Sequence, residues 1–362
     1  MLNKRKILIV ITSLSGGGAE RFACNLSCML HNLGHDIHIV TILNKVAYDY
    51  RGTLLNLGLH KDENNSFSGK IKRFVILKKY IKSNNFDFII DNRTKIKTLT
   101  ELAFSVFLYN KIKIVHIIHS YFIESYFPKN KFIVNLIYKT AYQIVCVSND
   151  IKTRVEDEYR FANCTTIYNP VDVLILEDLS KKFTVNAKYI LSYGRLDDNV
   201  KNFSLLIDAY ATSVLPNFGI KLYIIGDGKD KKLLIDKVVA LHLQNSVIFK
   251  EKISNTFPYV KKALFITLTS KHEGFPLVVL ESLALGTPVV SVNCKSGPSE
   301  IIVHENNGLL VENNNVVVFA NAINQMFFDE ELYLKCKNNA RNSVQHLSYD
   351  QIGLQWQKIL GV

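Results

Sequence analysis

Two glutamates, Glu273 and Glu281, stand eight residues apart around the segment Gly274-Phe275-Pro276-Leu277. Proline is favoured in the first turn of a helix, so the backbone N–H groups of Leu277 and Val278 would be free to bind a phosphate there. Eight helical residues span about 12 Å, whereas the paired carboxyls of a retaining glycosidase lie about 5 Å apart. The spacing favours two carboxylates that hold opposite ends of one long ligand, such as a sugar and a ribose. The alternative is a surface acid and a helix-capping acid.

The segment from Gly194 to Asn202 carries two cations, Arg195 and Lys201, between a predicted strand and a predicted helix. The arginine guanidinium binds phosphate with two parallel hydrogen bonds, and lysine adds a point charge. Two such cations suit a diphosphate leaving group, because they would stabilise the charge that develops on it. The alternative is a solvated loop in which both cations pair with Asp197 and Asp198.

Apolar strand-like runs alternate with amphipathic helical stretches, and this rhythm is typical of parallel sheets. Ligands of such sheets bind beyond the carboxyl ends of the strands, which is where both polar segments fall. The predicted elements are Lys6–Ile11, Glu20–Leu33, Asp36–Leu43, Phe86–Asp91, Lys113–His119 and Gln143–Ser148, followed by Tyr189–Tyr193, Asn202–Ala211, Lys221–Ile225, Lys231–Leu241, Val247–Phe249, Ala263–Leu268, Pro276–Leu285 and Pro288–Val292.

The segment Asn169-Pro170-Val171-Asp172 interrupts the alternation of predicted strands and helices and divides it into two blocks. We therefore predict an α/β protein with two Rossmann-like, doubly wound domains that face a cleft. Its 362 residues are too many for one typical domain. The predicted parts are an N-terminal domain (1–172), an irregular linker (173–187), a C-terminal domain (188–345) and a terminal helix (346–362).

Charge and cysteine usage narrow the class of protein. The net charge is +12, and residues 1–172 hold 24 Lys and Arg against 14 Asp and Glu, a local charge of +10. A basic half indicates an anionic partner. The six cysteines form no C-x-x-C pair, which favours reduced thiols in a cytosolic protein. The apolar run after Lys4-Arg5-Lys6 is short and resembles a buried strand more than a leader.

Taken together, these segments resemble the retaining glycosyltransferases of the GT-B fold, in the group called family 4. The resemblance rests first on Gly194-Arg195-Leu196 with Lys201, and on the E-x7-E pair Glu273 and Glu281. The supporting matches, in the same chain order as the family, are Gly16-Gly17-Gly18-Ala19-Glu20-Arg21, His119, Asn169-Pro170-Val171-Asp172, Gly226-Asp227-Gly228 and Gly297-Pro298-Ser299-Glu300.

This resemblance implies roles for the domains and for individual residues. Residues 1–172 would form the acceptor-side domain, residues 188–345 would bind the donor, and the terminal helix (346–362) would pack back on the N-terminal domain. Arg195 and Lys201 would bind the donor diphosphate, Glu281 the ribose and Glu273 the hydroxyls of the transferred sugar, with His119 near that sugar across the cleft. Lys201 lies six residues after Arg195 rather than the family's usual five, so the loop must bulge. The further donor-binding residues would be Gly16, Gly17, Gly18, Gly194, Gly226, Ile253, Gly274, Phe275, Pro276 and Leu277.

The resemblance also implies a reaction that needs no enzyme nucleophile, because the leaving phosphate helps to remove the acceptor's proton. We expect no metal and no cofactor, with Arg195 and Lys201 taking the place of a cation. The expected donor is a UDP-linked N-acetylhexosamine or hexose. The expected acceptor is a glycan or a polyprenyl-diphosphate-linked glycan, used in lipopolysaccharide or capsule synthesis.

Two basic amphipathic stretches, 70–82 and 129–139, suit the surface of an anionic membrane. In that case a cytoplasmic protein would attach peripherally to the cytosolic face of the inner membrane. The alternative is that their apolar faces only cover the sheet, as in every Rossmann-like domain.

Other functions fit the sequence less well. A sugar-nucleotide epimerase or hydrolase of the same fold would share the donor site and lack the acceptor. A nucleic-acid-binding protein would show exposed aromatics among its basic residues or a known module, and none is found, so we expect no nucleic acid. An NAD-dependent oxidoreductase would need G-x-G-x-x-G after the first strand, where this chain has Gly16-Gly17-Gly18.

Overall fold

Two parallel β-sheets organise the chain, one in each of two units. The computed structural model describes residues 4–95, 97–109 and 112–362. The first unit comprises Met1–Pro170 and Tyr349–Val362, and the second comprises Val171–Ser348. Every strand pair in the described part of both sheets is parallel. The predicted α/β class, with two doubly wound parallel sheets, is confirmed.

The first unit alternates strands and helices along residues 4–170. In chain order its elements are β1 (Lys6–Ile11), α1 (Gly18–Asn32), β2 (Asp36–Thr41), β3 (Thr53–Asn56), α2 (Leu57–Glu63), α3 (Phe67–Asn84), β4 (Phe88–Asp91), α4 (Thr98–Ala103), a π-helical turn (Phe104–Leu108), β5 (Lys113–Ile118), a 3₁₀ turn (Ile123–Ser125), α5 (Lys131–Tyr138), β6 (Gln143–Cys146), α6 (Asn149–Tyr159) and β7 (Cys164–Thr166).

The first sheet has the strand order β3-β2-β1-β4-β5-β6-β7. Residues Ile7 to Ile11 of β1 are at most 1% exposed, because a central parallel strand is covered by helices on both faces. The winding reverses between β1 and β4, so the loops that follow these two strands leave the sheet side by side.

The second unit repeats the pattern. In chain order its elements are α7 (Val173–Ser180), β8 (Tyr189–Tyr193), α8 (Asp198–Lys201), α9 (Phe203–Thr212), β9 (Lys221–Ile225), α10 (Lys231–Ala240), β10 (Val247–Lys250), α11 (Phe257–Lys262), β11 (Ile266–Leu268), α12 (Leu277–Ala284), β12 (Val289–Val292), α13 (Pro298–Ile301), β13 (Gly308–Val311), α14 (Val316–Phe328), α15 (Glu330–Ser343) and a 3₁₀ turn (Gln345–Leu347).

The second sheet has the strand order β10-β9-β8-β11-β12-β13. Its winding reverses between β8 and β11. An apolar core packs around the sheet and includes fully buried Ile190, Leu222, Phe265 and Phe319. The strands that precede the two polar segments of the sequence are therefore neighbours at the centre of this sheet.

The segment 173–187, expected to be an irregular linker, begins with the helix α7. The Asp172 carboxylate caps it by accepting the N–H of Ile175 at 3.0 Å, which is a standard helix start. Leu174 is 74% exposed, and such exposed apolar residues obscured the helical periodicity. The short strands β3, β7 and β13 also escaped prediction, because three or four residues carry too little periodicity.

The chain ends with a helix in the first unit, α16 (Tyr349–Leu360). It packs on α1, where a side chain at Gly353 would come within 3.2 Å of the Leu33 side chain. The Arg5 guanidinium donates to the carbonyl of Leu360 at 3.2 Å, and Trp356 is fully buried. No helix in the described residues is long and apolar enough to cross a membrane.

Candidate functional site

The centre of the second sheet brings two loops together. One loop follows β8 and holds Arg195 and Lys201; the other follows β11 and holds Glu273. Since β8 and β11 pair directly, with Leu191 opposite Ile266, their carboxyl ends open at the switch point where α/β proteins bind ligands.

Glycine allows the loop after β8 to pack against the loop after β9. The Gly194 N–H donates to Ile225 O at 3.0 Å. Gly226 has φ of 159°, and a Cβ there would lie 1.9 Å from Gly194 O. Only glycine fits at such a contact, which gives a physical reason for the Gly226-Asp227-Gly228 segment.

Lys201 and Glu273 form the central contact of the site. The Lys201 ammonium lies 2.6 Å from Glu273 Oε1, and their side chains are 22% and 12% exposed. Ser270 Oγ donates to the same oxygen at 2.6 Å. In the described part of the chain, no side chain donates to Glu273 Oε2. That oxygen can therefore accept a hydroxyl from a ligand while Oε1 holds the lysine.

Backbone bonds fix the two loops in this register. The Lys271 N–H donates to Val200 O at 2.8 Å, and Thr269 Oγ1 donates to Lys201 O at 3.1 Å. Asn202 adopts a left-handed conformation with φ of 52° at the end of α8. The segment that ends at Lys201 is therefore a short helix followed by a left-handed residue.

Arg195 stands apart from these contacts. Its side chain is exposed and makes no hydrogen bond or ion pair with any residue that the structure describes. The neighbouring acids are used elsewhere, because Asp197 pairs with Lys229 at 3.1 Å and Asp198 accepts from Ser204 N and Oγ at 2.8 and 2.6 Å. The structure thus does not show the alternative in which Arg195 and Lys201 pair with these acids.

Glu281 lies inside the second unit, on α12. It is 5% exposed, and its Oε2 accepts the hydroxyl of Tyr193 at 3.0 Å. Tyr193 closes β8 and also contacts Val278 O at 3.2 Å. Sequence reasoning missed Tyr193, although a tyrosine that ends a central strand was a visible signal. The tyrosine holds the carboxylate at the strand end rather than on the outer surface of the helix.

The start of α12 carries the amides predicted to bind phosphate. Pro276 is the residue just before the helix, and α12 begins at Leu277 without a side-chain cap. A left-handed glycine, Gly297, supports this turn, since a Cβ there would lie 2.5 Å from Pro276 Cδ. Ser296 Oγ donates to Gly274 O at 2.7 Å. Gly274 and Phe275 are buried in the turn, and Ile253 lies half-buried in the loop after β10.

The remaining predicted residues belong to the first unit, also at a switch point. Gly16 and Gly17 lie between β1 and α1, Gly18 begins α1, and all three are exposed. His119, just after β5, contacts Asn92 Oδ1 through Nε2 at 2.5 Å. Asn92 in turn donates to Ala19 O at 2.9 Å, so it links the first turn of α1 with the segments that follow β4 and β5.

A cluster of buried charged residues lies beside Asn92, where β4 ends, and was not predicted from the sequence. Arg93 binds Asp91 with two hydrogen bonds of 2.9 Å and Glu101 at 3.0 Å. Although burial raises it, Arg93 and Lys95 hold the pKa of the Asp91 carboxyl well below its usual range. Burial raises the pKa of Glu101. Alternating charges at 91, 93 and 95 directly after an apolar strand were the available signal.

Known proteins with related sequences cover nearly the whole chain. Residues 177–343 match the family described as glycosyl transferases group 1, and residues 16–173 match the one described as glycosyltransferase family 4. A Campylobacter jejuni N-acetylgalactosamine-N,N'-diacetylbacillosaminyl-diphospho-undecaprenol 4-alpha-N-acetylgalactosaminyltransferase is 29% identical over 96% of both chains. The chain is a glycosyltransferase.

Other relatives agree with this assignment. The amylovoran biosynthesis glycosyltransferase AmsD of Erwinia amylovora is 24% identical over 98% of this glycosyltransferase and 99% of its own length. The Anabaena protein HepE, solved in complex with UDP-glucose, superposes with a TM-score of 0.79 at 20% identity and covers 99% of both chains. The GT-B fold and the transferase class predicted from the sequence are confirmed, and the binding-protein and oxidoreductase alternatives are set aside.

The glycosyltransferase should be sensitive to acid through His116, which is 2% exposed. Burial, aided by Lys95, lowers its pKa to about 3, whereas an unfolded histidine titrates at about 6.5. Between these values the unfolded chain binds a proton that the folded chain does not, so stability falls as pH falls below about 6.5. His116→Gln should remove about 2 kcal/mol of the stability lost between pH 7 and 5.

Urea unfolding at both pH values checks this expectation. Trp356 is the single tryptophan and is buried in the same unit as His116, so its fluorescence reports on that unit. An acid dependence equal to that of the unmodified protein would contradict the assigned pKa direction.

Proposed function

We propose that this glycosyltransferase transfers a sugar, with retention, from a UDP-sugar to a lipid-linked or glycan acceptor in surface polysaccharide synthesis. The observation that carries the proposal is the contact of Lys201 with Glu273 at the switch point of the second sheet. It supports the proposal because a lysine suited to a diphosphate lies beside a carboxylate suited to a sugar hydroxyl. The relatives named above act on an undecaprenol-linked glycan and in amylovoran synthesis, which supports the acceptor class.

In this proposal the bond between the sugar C1 and the UDP oxygen breaks, and UDP leaves with the bonding electrons. The acceptor hydroxyl attacks C1 on the same face, and its proton passes to the leaving phosphate. Arg195 and Lys201 stabilise the charge on that phosphate. Glu273 Oε2 accepts a sugar hydroxyl, while Glu281, held by Tyr193, accepts the ribose hydroxyls. His119 would lie near the sugar, with Asn92 orienting its ring.

UDP is the expected nucleotide, with N-acetylhexosamine or hexose as the transferred sugar. Ile253, after β10, would contact the base, and Gly194, Gly226 and the amides from Gly274 to Leu277 would lie along the diphosphate. Gly16, Gly17 and Gly18 leave the loop after β1 without side chains, so a phosphate can approach its backbone. We expect no metal and no cofactor besides the nucleotide sugar.

A thermal-shift screen of nucleotide sugars tests the donor assignment. We expect UDP and one UDP-sugar to raise the melting temperature of the protein. Glu281→Ala should weaken that binding about tenfold, the value of one hydrogen bond to a charged group. Glu312→Ala, which removes another carboxylate of the second unit, should leave the shift unchanged. Equal shifts for protein and Glu281 variant would contradict the ribose role.

A sugar-nucleotide hydrolase or epimerase would also be stabilised by a nucleotide sugar in this screen. Product analysis separates the reactions, because a transferase forms a glycosylated acceptor only when an acceptor is supplied. Release of free sugar at the same rate without an acceptor would favour the hydrolase.

We also propose that the first unit docks on the cytosolic face of an anionic membrane. α3 has six Lys and Arg and no acid among its residues, and it exposes Phe67, Ile71 and Val75 along one stripe at 77%, 50% and 56%. A different face of the helix, with Leu77 and Ile81, is buried in the unit. Covering the sheet therefore accounts for only part of its apolar surface, and basic amphipathic helices with a free apolar stripe bind anionic bilayers.

Vesicle pelleting tests the docking surface. The protein should pellet with anionic vesicles at low salt, and Ile71→Ser should reduce the bound fraction several-fold, because about 25 cal/mol is lost per Å² of buried apolar surface. Val317→Ser, at a 60% exposed position of the second unit, is the matched control. Failure to pellet, or an equal loss in both variants, would contradict docking through α3.

A further inference from the structure

A cavity of about 470 Å³ opens in the first unit, at the carboxyl ends of β4 and β5. It lies within the range of about 300–1,000 Å³ that small-ligand sites occupy. None of the residues predicted to bind the donor lines it. The side chains that decide its chemistry are Lys95, Glu124, Phe127, Pro128, Lys129 and Ile133.

Two lysines, Lys95 and Lys129, line this cavity. Lys95 is only 1% exposed, and its ammonium donates to Arg93 O at 3.3 Å and forms an ion pair with Asp91 Oδ2 at 3.7 Å. Asp91 already receives two hydrogen bonds from Arg93, and an ammonium has three donors. Lys95 therefore keeps donor capacity in a desolvated place, and the exposed Lys129 adds a second charge.

Glu124, the acidic residue that lines the cavity, does not neutralise the positive charge of the two lysines. Glu124 is 58% exposed on its side chain and forms an ion pair with Arg154 at 2.5 Å. The cavity thus prefers an anion. A diphosphate suits it better than a carboxylate, since its oxygens can meet two separate ammonium groups at once.

The same cavity is apolar on one side. Phe127, Pro128 and Ile133 line it, and the chain neighbours of two lining residues are exposed apolar side chains. These are Leu99, next to Thr98, at 83% exposure and Phe132, next to Ile133, at 76%. A ligand with an anionic head and a hydrocarbon chain would satisfy both sets of groups.

We propose that this cavity binds the diphosphate of a prenyl-linked acceptor, with Lys95 and Lys129 on the phosphates and Ile133 and Phe132 on the first prenyl units. The inference rests on the proposed lipid-linked acceptor. It places the acceptor's anionic head on the first unit, separate from the donor residues of the second unit.

Calorimetric titration of the full chain with farnesyl diphosphate, in saturating UDP, tests the site. Lys129→Gln should weaken binding about tenfold, the value of one charge-assisted hydrogen bond. Ile133→Trp should fill the cavity and abolish binding. Lys131→Gln removes an exposed cation two residues away that does not line the cavity, and it should bind as the unmodified protein does.

The results of this titration distinguish a specific acceptor site from diffuse attraction and from a site for free anions. Equal losses in the Lys129 and Lys131 variants, or no loss in either lining variant, would overturn the site in favour of diffuse attraction. Inorganic pyrophosphate that binds as tightly as farnesyl diphosphate would show a site for free anions and overturn the lipid assignment. UDP binding is measured separately by thermal shift. Loss of that signal alone would contradict the proposed function and leave the farnesyl diphosphate result standing.

Discussion

Arg195→Ala should lower kcat by about 10²–10³-fold, the usual loss when one preorganised group that stabilises developing charge is removed. The guanidinium is exposed and unpaired within the described part of the chain, so the folded state loses no partner. Stability should stay within about 0.5 kcal/mol. Measured as UDP release from the UDP-sugar that the thermal-shift screen identifies, the loss should lie in kcat, because the charge on the leaving phosphate peaks in the transition state.

Arg195→Lys should recover part of this rate, since lysine restores the charge without the two-pronged hydrogen bonding. Lys229→Ala provides the matched control, because it removes a 59% exposed cation from the neighbouring loop after β9. A rate loss in the control as large as in the Arg195 variant would point to general surface charge instead.

The same reasoning predicts that a chelator leaves the rate unchanged. If Arg195 and Lys201 neutralise the diphosphate, no divalent cation is required for that role. Complete loss of activity in chelator, restored by manganese, would contradict the metal-independent mechanism.

Arg93→Met should destabilise the first unit by about 3–5 kcal/mol, the typical cost of breaking a buried ion pair from one side. Arg93 is 6% exposed, and it binds both Asp91 and Glu101. Its guanidinium also stacks on the Phe104 ring at 4.1 Å. Removing it leaves two carboxylates in a desolvated place with Lys95 as their remaining cation.

Urea unfolding followed by the fluorescence of Trp356 measures this loss in the correct unit. Lys152→Met is the matched control, since it breaks a half-exposed ion pair with Glu156 one helical turn away, and such pairs contribute about 0.5 kcal/mol or less. A loss below about 1 kcal/mol in the Arg93 variant would mean that the cluster relaxes without it.

Comparison of sequence and structure shows where local patterns are sufficient. The buried strand β1 and the helix α12 were placed within a residue or two, because burial on both faces and a proline before a helix leave a local signature. The helix α7 was missed because its exposed Leu174 and Ile175 break the one-sided pattern that identifies an amphipathic helix.

The residues of the candidate site show the same contrast between local sequence patterns and tertiary contacts. Arg195, Lys201, Glu273 and Glu281 were proposed as site residues from their types, their spacing and their place after predicted strands. Their partners were not. Tyr193, Ser270 and the cluster around Asp91 acquire their importance from contacts that no short window of sequence contains.

The sequence by itself determined the alternation of strands and helices, the order of the family segments and the chemistry available at each strand end. The tertiary structure alone decided that Lys201 touches Glu273, 72 residues later in the chain. It also decided that Tyr193 holds Glu281 and that Lys95 lines a cavity. The physical reason is that apolar periodicity specifies which face of an element is buried, whereas the order of strands in a sheet decides which loops become neighbours.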